Sequence, residues 1–324
     1  MEHELPWGLP VIIYLFLAGV GAGAVTVSGS VFLRGGGSGD KSLFSLARYG
    51  ALIGPIPVIV GTVCIIFELG RWDRALNLFK VINLSPMSIG SWLLGLFITT
   101  SLIYAVTFLP SLFSRFESLA KRMGPAMHVL AWINVPLGIG VAIYTGVLLG
   151  AMPSRPLWNS PILAFLFLIS ALSTGIATMI MARTVFHREP AWSGSNGVNP
   201  EHGYHEGGYL LTASDLMLIG FEILVIFLFL MFAHLTIGNL KYAIAIILPG
   251  GEMAMTFWFW VVLVGLLLPG LIELFYVIPR LIYKKEFNPP RAVEFVVSLA
   301  VLVGGFMLRY VIVIAGQMTG PRGI

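Results

Sequence analysis

Residues 9–33 read LPVIIYLFLAGVGAGAVTVSGSVFL, a run of 25 residues that contains no charged side chain. A helix needs roughly 20 apolar residues to cross the hydrocarbon core of a bilayer, and this run is long enough to do so. Seven further segments are largely apolar over a similar length: residues 46–70, 88–109, 126–150, 159–182, 210–236, 254–278 and 291–316. The pattern predicts an all-α integral membrane protein with about eight transmembrane helices.

The composition indicates that lipid is the solvent for most of the surface. Hydrophobic residues make up 57% of the 324 residues and charged residues only 10%, whereas a soluble domain carries roughly 25% charged residues. So few charges cannot cover a water-exposed globule of this size. The net charge of +4 is spread over short loops and forms no basic stripe, so we expect membrane lipid and no nucleic acid as a partner.

Lys and Arg residues are distributed unequally between the two sides of the predicted helices. The side that holds both termini and loops 2–3, 4–5 and 6–7 carries six of them, and the other side carries twelve. Because cytoplasmic loops hold the excess of basic residues, both termini are predicted to be periplasmic in a bacterial inner membrane. We interpret residues 1–324 as one membrane domain, in which residues 242–248 are apolar but too short to cross.

A carboxylate and two phenols fall at the same depth near the side of the termini. Glu68 lies two residues from the end of predicted helix 2, Tyr144 six residues from the end of helix 4, and Tyr14 about five residues into helix 1. All three are therefore within roughly 10 Å of the surface. A quinone head group needs a hydrogen-bond donor and a proton-exchanging group, which a tyrosine and a buried carboxylate supply. The alternative is an ordinary interfacial tyrosine beside a glutamate that extends to water.

The loop between predicted helices 2 and 3 is rich in charged and aromatic residues. It opens with Arg-Trp-Asp-Arg at residues 71–74 and closes with Ser-Pro-Met-Ser-Ile-Gly-Ser-Trp at residues 85–92. Charge pairs and aromatic anchors of this kind can dock a soluble partner, and an interfacial belt of Trp and Arg is the alternative. The candidate interface residues are Arg71, Arg74, Ser85, Pro86 and Trp92.

Charged residues also fall inside the apolar runs, where they are costly and tend to be functional. Asp215 and Glu222 are seven residues apart, so they share one face of helix 6. One hypothesis is a proton path from the cytoplasmic side, and the alternative is a set of ion pairs that holds the last four helices together. The candidate path residues are Asp215, Glu222, Glu273, Glu294 and Arg183, with His128 at a similar depth and Arg309 further out.

Several kinds of site are not expected in this protein. Cys64 is the single cysteine, whereas an iron–sulfur cluster needs about four thiolates. His128 and His234 belong to opposite leaflets, so they cannot ligate one haem iron. His202 and His205 have a spacing that can bind metal, but they lie in a polar, glycine-rich stretch that we interpret as a loop without metal. A secondary transporter or proton-conducting protein without quinone chemistry is the rival class, although no inverted repeat is visible.

Six stretches of the sequence, in order, resemble the polysulfide reductase membrane-subunit family, also called the NrfD/PsrC family. They are residues 7–19, 68–71 (Glu-Leu-Gly-Arg), 85–92, 144–149 (Tyr-Thr-Gly-Val-Leu-Leu), 155–159 (Arg-Pro-Leu-Trp-Asn) and 308–317. The resemblance implies two four-helix bundles and a site for menaquinone or ubiquinone, with no haem or iron–sulfur cluster in the chain itself. It implies Tyr144 and Glu68 as the quinone-binding tyrosine and acid.

The resemblance also carries expectations about neighbouring residues and partners. Tyr14 is a candidate for a further head-group contact, and Arg71, Trp72 and Asp73 are expected to flank the head group or the partner interface. A four-cluster, ferredoxin-like iron–sulfur subunit is expected to dock near residues 71–92 and to connect to a catalytic subunit of molybdenum, haem or hydrogenase type. The expected function is that of a quinone-binding membrane anchor in a multisubunit oxidoreductase, with proton translocation as a further expectation.

Overall fold

The computed structural model describes residues 7–38, 40–68, 85–109, 117–186, 200–236, 238–284 and 287–319, without the side chains of residues 38, 68, 117–124 and 200–206. These residues are helical almost throughout and contain no β-strand. Eight helical segments are long and apolar enough to cross a bilayer: Leu9–Arg34, Lys41–Phe67, Pro86–Phe108, Pro125–Gly150, Pro161–Phe186, Gly207–Leu235, Thr256–Tyr283 and Arg291–Met318. The predicted all-α fold with eight membrane-spanning helices is confirmed.

The described residues form a series of helices, some of which are segments of one membrane span. In sequence order they are α1 (Leu9–Arg34), α2 (Lys41–Ile53), α3 (Pro55–Glu68), α4 (Pro86–Phe108), α5 (Glu117–Gly150), α6 (Pro161–Phe186), α7 (Pro200–Leu235), the short α8 (Asn239–Ile244), a π-helical stretch (Thr256–Leu267), α9 (Leu268–Tyr283) and α10 (Arg291–Met318). Helix α7 begins ten residues before the predicted start of helix 6 at residue 210, so His202 and His205 belong to a helix and not to a loop.

Local sequence explains where two of the helices begin. The Asp40 side chain accepts hydrogen bonds from the backbone N–H groups of Ser42 and Leu43 and caps α2. Ser85 caps α4 in the same way through Ser88 N–H, and Pro86 occupies the first turn, where its missing N–H leaves no bond unmade. The motif at residues 85–92 is therefore a helix start.

The second span is divided at Gly54, where the sequence pattern predicts one continuous helix. Helix α2 ends at Ile53 and α3 begins at Pro55. Proline has no N–H to donate to the preceding turn, so the helical hydrogen bonding is interrupted there. The backbone of Gly54 lies against Gly21 of α1, where a side chain on Gly21 would collide with the Gly54 carbonyl.

The first four spans pack together, the last four pack together, and α1 and α6 join the two bundles. We call the end that holds Trp7, the start of α4 and the end of α10 the N-terminal face, and the other end the opposite face. At the junction Gly23 lies directly against the carbonyl group of Ala171, so the backbones of α1 and α6 touch. Small residues permit such close approach of helices in lipid, and α1 has glycine at residues 19, 21 and 23.

The glycine at this junction provides a test of the packing. A methyl group on Gly23 would meet the Ala171 carbonyl, which is backbone and cannot swing aside. We expect Gly23→Ala to destabilise the purified protein by about 1–3 kcal/mol, the usual range for overpacking. The matched control is Gly220→Ala, because nothing lies within 4 Å of the added atom there. Equal thermal unfolding midpoints for the two variants would contradict the described junction.

Candidate functional site

Tyr144 and Gly90 are in direct contact near the N-terminal face. Tyr144 belongs to α5 and is partly buried, and its phenol ring and hydroxyl lie over the Cα of Gly90 in α4. A Cβ on Gly90 would overlap the phenol, so only glycine leaves the ring in this place. The contact brings together two of the stretches that carry the family resemblance, residues 85–92 and 144–149.

Tyr14 lies on α1 next to this pair. Its side chain is buried and lies near Tyr144. The backbone of Tyr14 packs against Gly61 of α3, where an added Cβ would lie 3.3 Å from the Tyr14 carbonyl oxygen. Helices α1, α3, α4 and α5 therefore converge on one region that contains two phenol groups.

Most of the charged residues predicted for this region fall outside the described part of the chain. Glu68 is the last residue of α3, but its side chain lies outside the described residues, as do Arg71, Trp72, Asp73 and Arg74. Their roles stay predictions. The described members of the candidate interface are Ser85, Pro86 and Trp92, of which Pro86 is exposed and Trp92 is half exposed.

A polar cluster on the N-terminal face ties the chain ends together. The backbone N–H of Trp7 donates to Oε1 of Gln317 at 2.9 Å, and Nε2 of Gln317 donates to the Trp7 carbonyl at 3.0 Å. Arg155 donates to the Gln317 carbonyl at 2.6 Å, while Trp158 stacks on Trp7 at 5.1 Å between ring centroids. Apart from the resemblance, the sequence indicates no role for these residues, because pairing across 310 positions leaves no local signal.

Arg309 occupies the junction between the bundles and is fully buried. Its Nη1 donates to the Gly305 carbonyl at 2.7 Å and to the Ser170 hydroxyl at 3.0 Å. The guanidinium also lies against the rings of Phe16 and Phe167, at 5.8 and 5.3 Å from the centroids. Arg309 therefore links α10 to α1 and α6. The sequence places Arg309 inside a membrane span but does not indicate these contacts.

Three buried carboxyl groups continue from Arg309 toward the opposite face. Glu222 is buried and lies near Ser170 and Arg309. Asp215 accepts a hydrogen bond of 2.7 Å from the Ser173 hydroxyl, and Glu273 lines a small cavity together with Thr212, one turn before Asp215. The sequence pattern indicates the three acids but not the serines, although Ser170 and Ser173 are three residues apart on one helix face.

An ion pair closes this series at the opposite face. Arg183 donates to Glu294 at 2.7 Å, and the Thr184 hydroxyl donates to the other carboxylate oxygen at 3.3 Å. The five candidate path residues thus lie in one bundle, as the predicted path requires. His128 does not join them, because it packs against Phe32 of α1 with 4.9 Å between ring centroids.

Metal-ligating side chains do not gather anywhere in the part of the chain that the structure describes. No three His, Cys, Asp or Glu side chains lie together there in the manner of a metal site. The two phenols near the N-terminal face and the buried carboxyls of the last four spans are the described groups that match the chemistry predicted from the sequence.

Comparisons with known proteins show similarity along nearly the whole sequence. The family model described as "Polysulphide reductase, NrfD" matches residues 1–321. "Protein NrfD homolog" of Haemophilus influenzae and "Protein NrfD" of Escherichia coli are each 30% identical, over 98% of this protein and 96% of theirs. The C subunit of polysulfide reductase from Wolinella succinogenes is 29% identical, over 97% of this protein and 95% of its own length. The protein therefore belongs to the polysulfide reductase NrfD family.

Proposed function

We propose that this protein is the quinone-binding membrane subunit of a reductase complex and exchanges electrons between the quinone pool and an iron–sulfur partner. The observation that carries the proposal is the contact of the Tyr144 phenol with Gly90, close to Tyr14 and to the end of α3. Two phenols lie near one another within membrane-spanning helices, and the absence of a side chain on Gly90 leaves room for the Tyr144 ring. Their hydroxyls can donate hydrogen bonds to the carbonyl oxygens of a head group that arrives from lipid.

Each residue of the site has a defined task in this proposal. The Tyr144 hydroxyl donates a hydrogen bond to one head-group carbonyl, and Tyr14 is the candidate donor for the other. Glu68 at the end of α3 exchanges protons with water, and Arg71, Trp72 and Asp73 flank the head group. A bound menaquinone or ubiquinone supplies the two-electron, two-proton chemistry, which the side chains of this site lack.

The partner surface lies on the N-terminal face, which is periplasmic in this proposal. Half-exposed Trp92 and exposed Pro86 lie at the start of α4, next to the residues 71–84 that complete the candidate interface. Large aromatic side chains are common anchors of protein interfaces. A four-cluster, ferredoxin-like iron–sulfur subunit docks here and connects to a catalytic subunit of molybdenum, haem or hydrogenase type. The name of the Wolinella relative, which marks it as one of several polysulfide reductase polypeptides, supports assembly with other subunits.

A second candidate function is that of a transporter or proton conductor without quinone chemistry. The specific observation in its favour is the series of buried carboxyl groups in the last four spans. Such groups line substrate and ion pathways in transporters as well as in redox-driven pumps. The two functions differ in their partners and ligands, which makes them separable by experiment.

The test is purification of the tagged protein from its native membrane under mild conditions. We expect an iron–sulfur protein to co-purify, and we expect a menaquinol or ubiquinol analogue to reduce its clusters, as followed by electron paramagnetic resonance. Proteoliposomes that contain the purified protein alone should move no solute. Absence of an iron–sulfur partner together with solute uptake would contradict the proposal and support a transporter.

A further inference from the structure

Six ionisable side chains of the last four spans are buried in the part of the chain that the structure describes. Their exposed fractions lie between 0% and 6%. They are Arg183, Asp215, Glu222, Glu273, Glu294 and Arg309. Two are cations and four are carboxyl groups, so complete ionisation would leave two negative charges without a cation inside the membrane, which is energetically costly.

The two cations are each associated with one particular carboxyl group. Arg183 forms an ion pair with Glu294 at 2.7 Å. Arg309 donates to the Ser170 hydroxyl at 3.0 Å, and the Glu222 carboxyl group lies near both side chains. These two associations account for both positive charges, so among the described residues Asp215 and Glu273 remain as the carboxyl groups without a buried cation.

Asp215 and Glu273 are neighbouring buried carboxyl groups. Thr212, one turn before Asp215 on α7, lines the same small cavity as Glu273, and an ionised carboxylate can only accept a hydrogen bond. A hydrogen bond between them therefore requires that one of the two carries a proton, as in other buried carboxyl pairs. The nearest further groups are the Ser173 hydroxyl, which donates to Asp215 at 2.7 Å, and Glu222, whose charge opposes a second negative charge.

A small cavity adjoins the free side of this pair. The Oε2 atom of Glu273 and the hydroxyl of Ser298 are buried, and neither has a hydrogen-bond partner among the described atoms. Both residues line a cavity of about 20 Å³ whose wall also includes Glu294 and Tyr276. This volume is sufficient for one water molecule, which needs about 10–15 Å³ and two or more polar partners. The cavity lies between the carboxyl pair and the Arg183–Glu294 ion pair of the opposite face.

We infer that Asp215 and Glu273 form a buried proton-holding site that exchanges protons with the opposite face through a water molecule held between Glu273 and Ser298. Proton uptake forms an O–H bond at Oε2 of Glu273 and breaks one in the cavity water, which regains a proton from the aqueous side. The proton on the other Glu273 oxygen passes to Asp215, so the pair gains one proton. Arg309 and Glu222 lie between this site and the quinone region. The site gives the predicted path a defined storage position that is separate from Tyr144.

The test is infrared spectroscopy of the full-length protein in lipid nanodiscs at neutral pH. We expect the difference between wild type and the double variant Asp215→Asn/Glu273→Gln to contain the band of a protonated carboxyl group. Each single substitution should shift this band, because the remaining carboxyl group has a new partner. A difference spectrum with carboxylate bands alone would overturn the inference. Glu252→Gln, at an exposed position on the N-terminal face, is the control for a carboxyl group that faces water.

The role of the cavity is tested by hydrogen–deuterium exchange of the same band. Ser298→Val removes the hydroxyl and places two methyl groups in the cavity. The protonated-carboxyl band should therefore shift to lower frequency in D₂O more slowly than in wild type. Ser298→Ala keeps the space and should remain close to wild type. Equal exchange rates for Ser298→Val and wild type would overturn the proposed route. Neither readout depends on quinone turnover, so a result that overturns this inference would not contradict the proposed function.

Discussion

The Gly90→Ala variant is expected to lose quinone-coupled electron transfer by about 100-fold while it folds and inserts normally. The added methyl group overlaps the Tyr144 phenol, which is the free end of a side chain and can swing away at little cost in stability. The hydroxyl is then displaced from the head group, and a misplacement of about 1 Å can lower a rate about 100-fold. The measurement is the rate at which a quinol analogue reduces the clusters of the purified complex.

Two further variants show whether the position of the Tyr144 hydroxyl is responsible for the loss of electron transfer in Gly90→Ala. Gly140→Ala lies at the same contact of α4 with α5, but the atoms nearest to its methyl group belong to the Leu93 side chain, at ordinary distances of 3.4–4.0 Å. It should retain wild-type activity. Tyr144→Phe removes the hydroxyl without moving the ring and should lower activity to a similar extent, about 100-fold, as the loss of one positioned donor does in other active sites. Wild-type activity in Gly90→Ala would exclude Tyr144 from the quinone site.

The Arg309→Met variant is expected to lower the free energy of unfolding by about 3–5 kcal/mol, the usual cost of removing one partner from a buried charge pair. Arg309 is fully buried and contacts α1, α6 and α10 at the junction of the bundles. Methionine matches the aliphatic part of the arginine side chain in length. It removes the positive charge, so Glu222 is left in the membrane without its cation. The measurement is the thermal unfolding midpoint in detergent.

The Glu222 variant provides the rescue and the control. In Glu222→Gln the guanidinium keeps its bonds to Ser170 and Gly305, so assembly should be intact while quinone-coupled turnover is slowed. The double variant Arg309→Met/Glu222→Gln should recover part of the stability lost in Arg309→Met, because no unpaired carboxylate remains. A double variant no more stable than Arg309→Met would show that Arg309 acts through packing alone. Loss of assembly in Glu222→Gln would favour a purely structural role of the buried acids.

The spans themselves follow from the sequence because the bilayer fixes their length. Residues 88–109 are predicted to span the membrane and the helix found there is Pro86–Phe108. Three other spans agree as closely, and the remaining four differ from their predicted bounds by three to five residues at one or both ends. The break at Gly54 is not visible in hydropathy, since the residues on both sides are apolar. The Gly-Pro pair at residues 54–55 is the signal that marks it. The sequence pattern does not predict the early start of α7 at Pro200, because a polar, glycine-containing stretch is typical of a loop.

The candidate site is predictable only where chemistry is visible in the side chains. Tyr14 and Tyr144 stand out as phenols at one depth in the membrane, and Asp215 and Glu222 stand out as charges in apolar runs. Gly90 has no side chain and lies 54 positions before Tyr144, so its role depends on a contact that only the fold creates. Similarly, Ser170 is an ordinary helix residue in the sequence, and its contacts with Arg309 and Glu222 come from three separate helices.

A quinone head group bound beside Tyr144 and Gly90 is central to the proposed electron transfer. Its most direct test is photo-crosslinking of the purified full-length protein with an azido-quinone, followed by mass-spectrometric mapping. We predict labelled peptides that contain Tyr144 or Gly90, with labelling suppressed by excess unlabelled quinone and in Gly90→Ala. A largely apolar groove of about 330 Å³ lies elsewhere, between α1 and α7, with Val27 and Met217 in its wall. Labelling confined to that groove would contradict the proposed site.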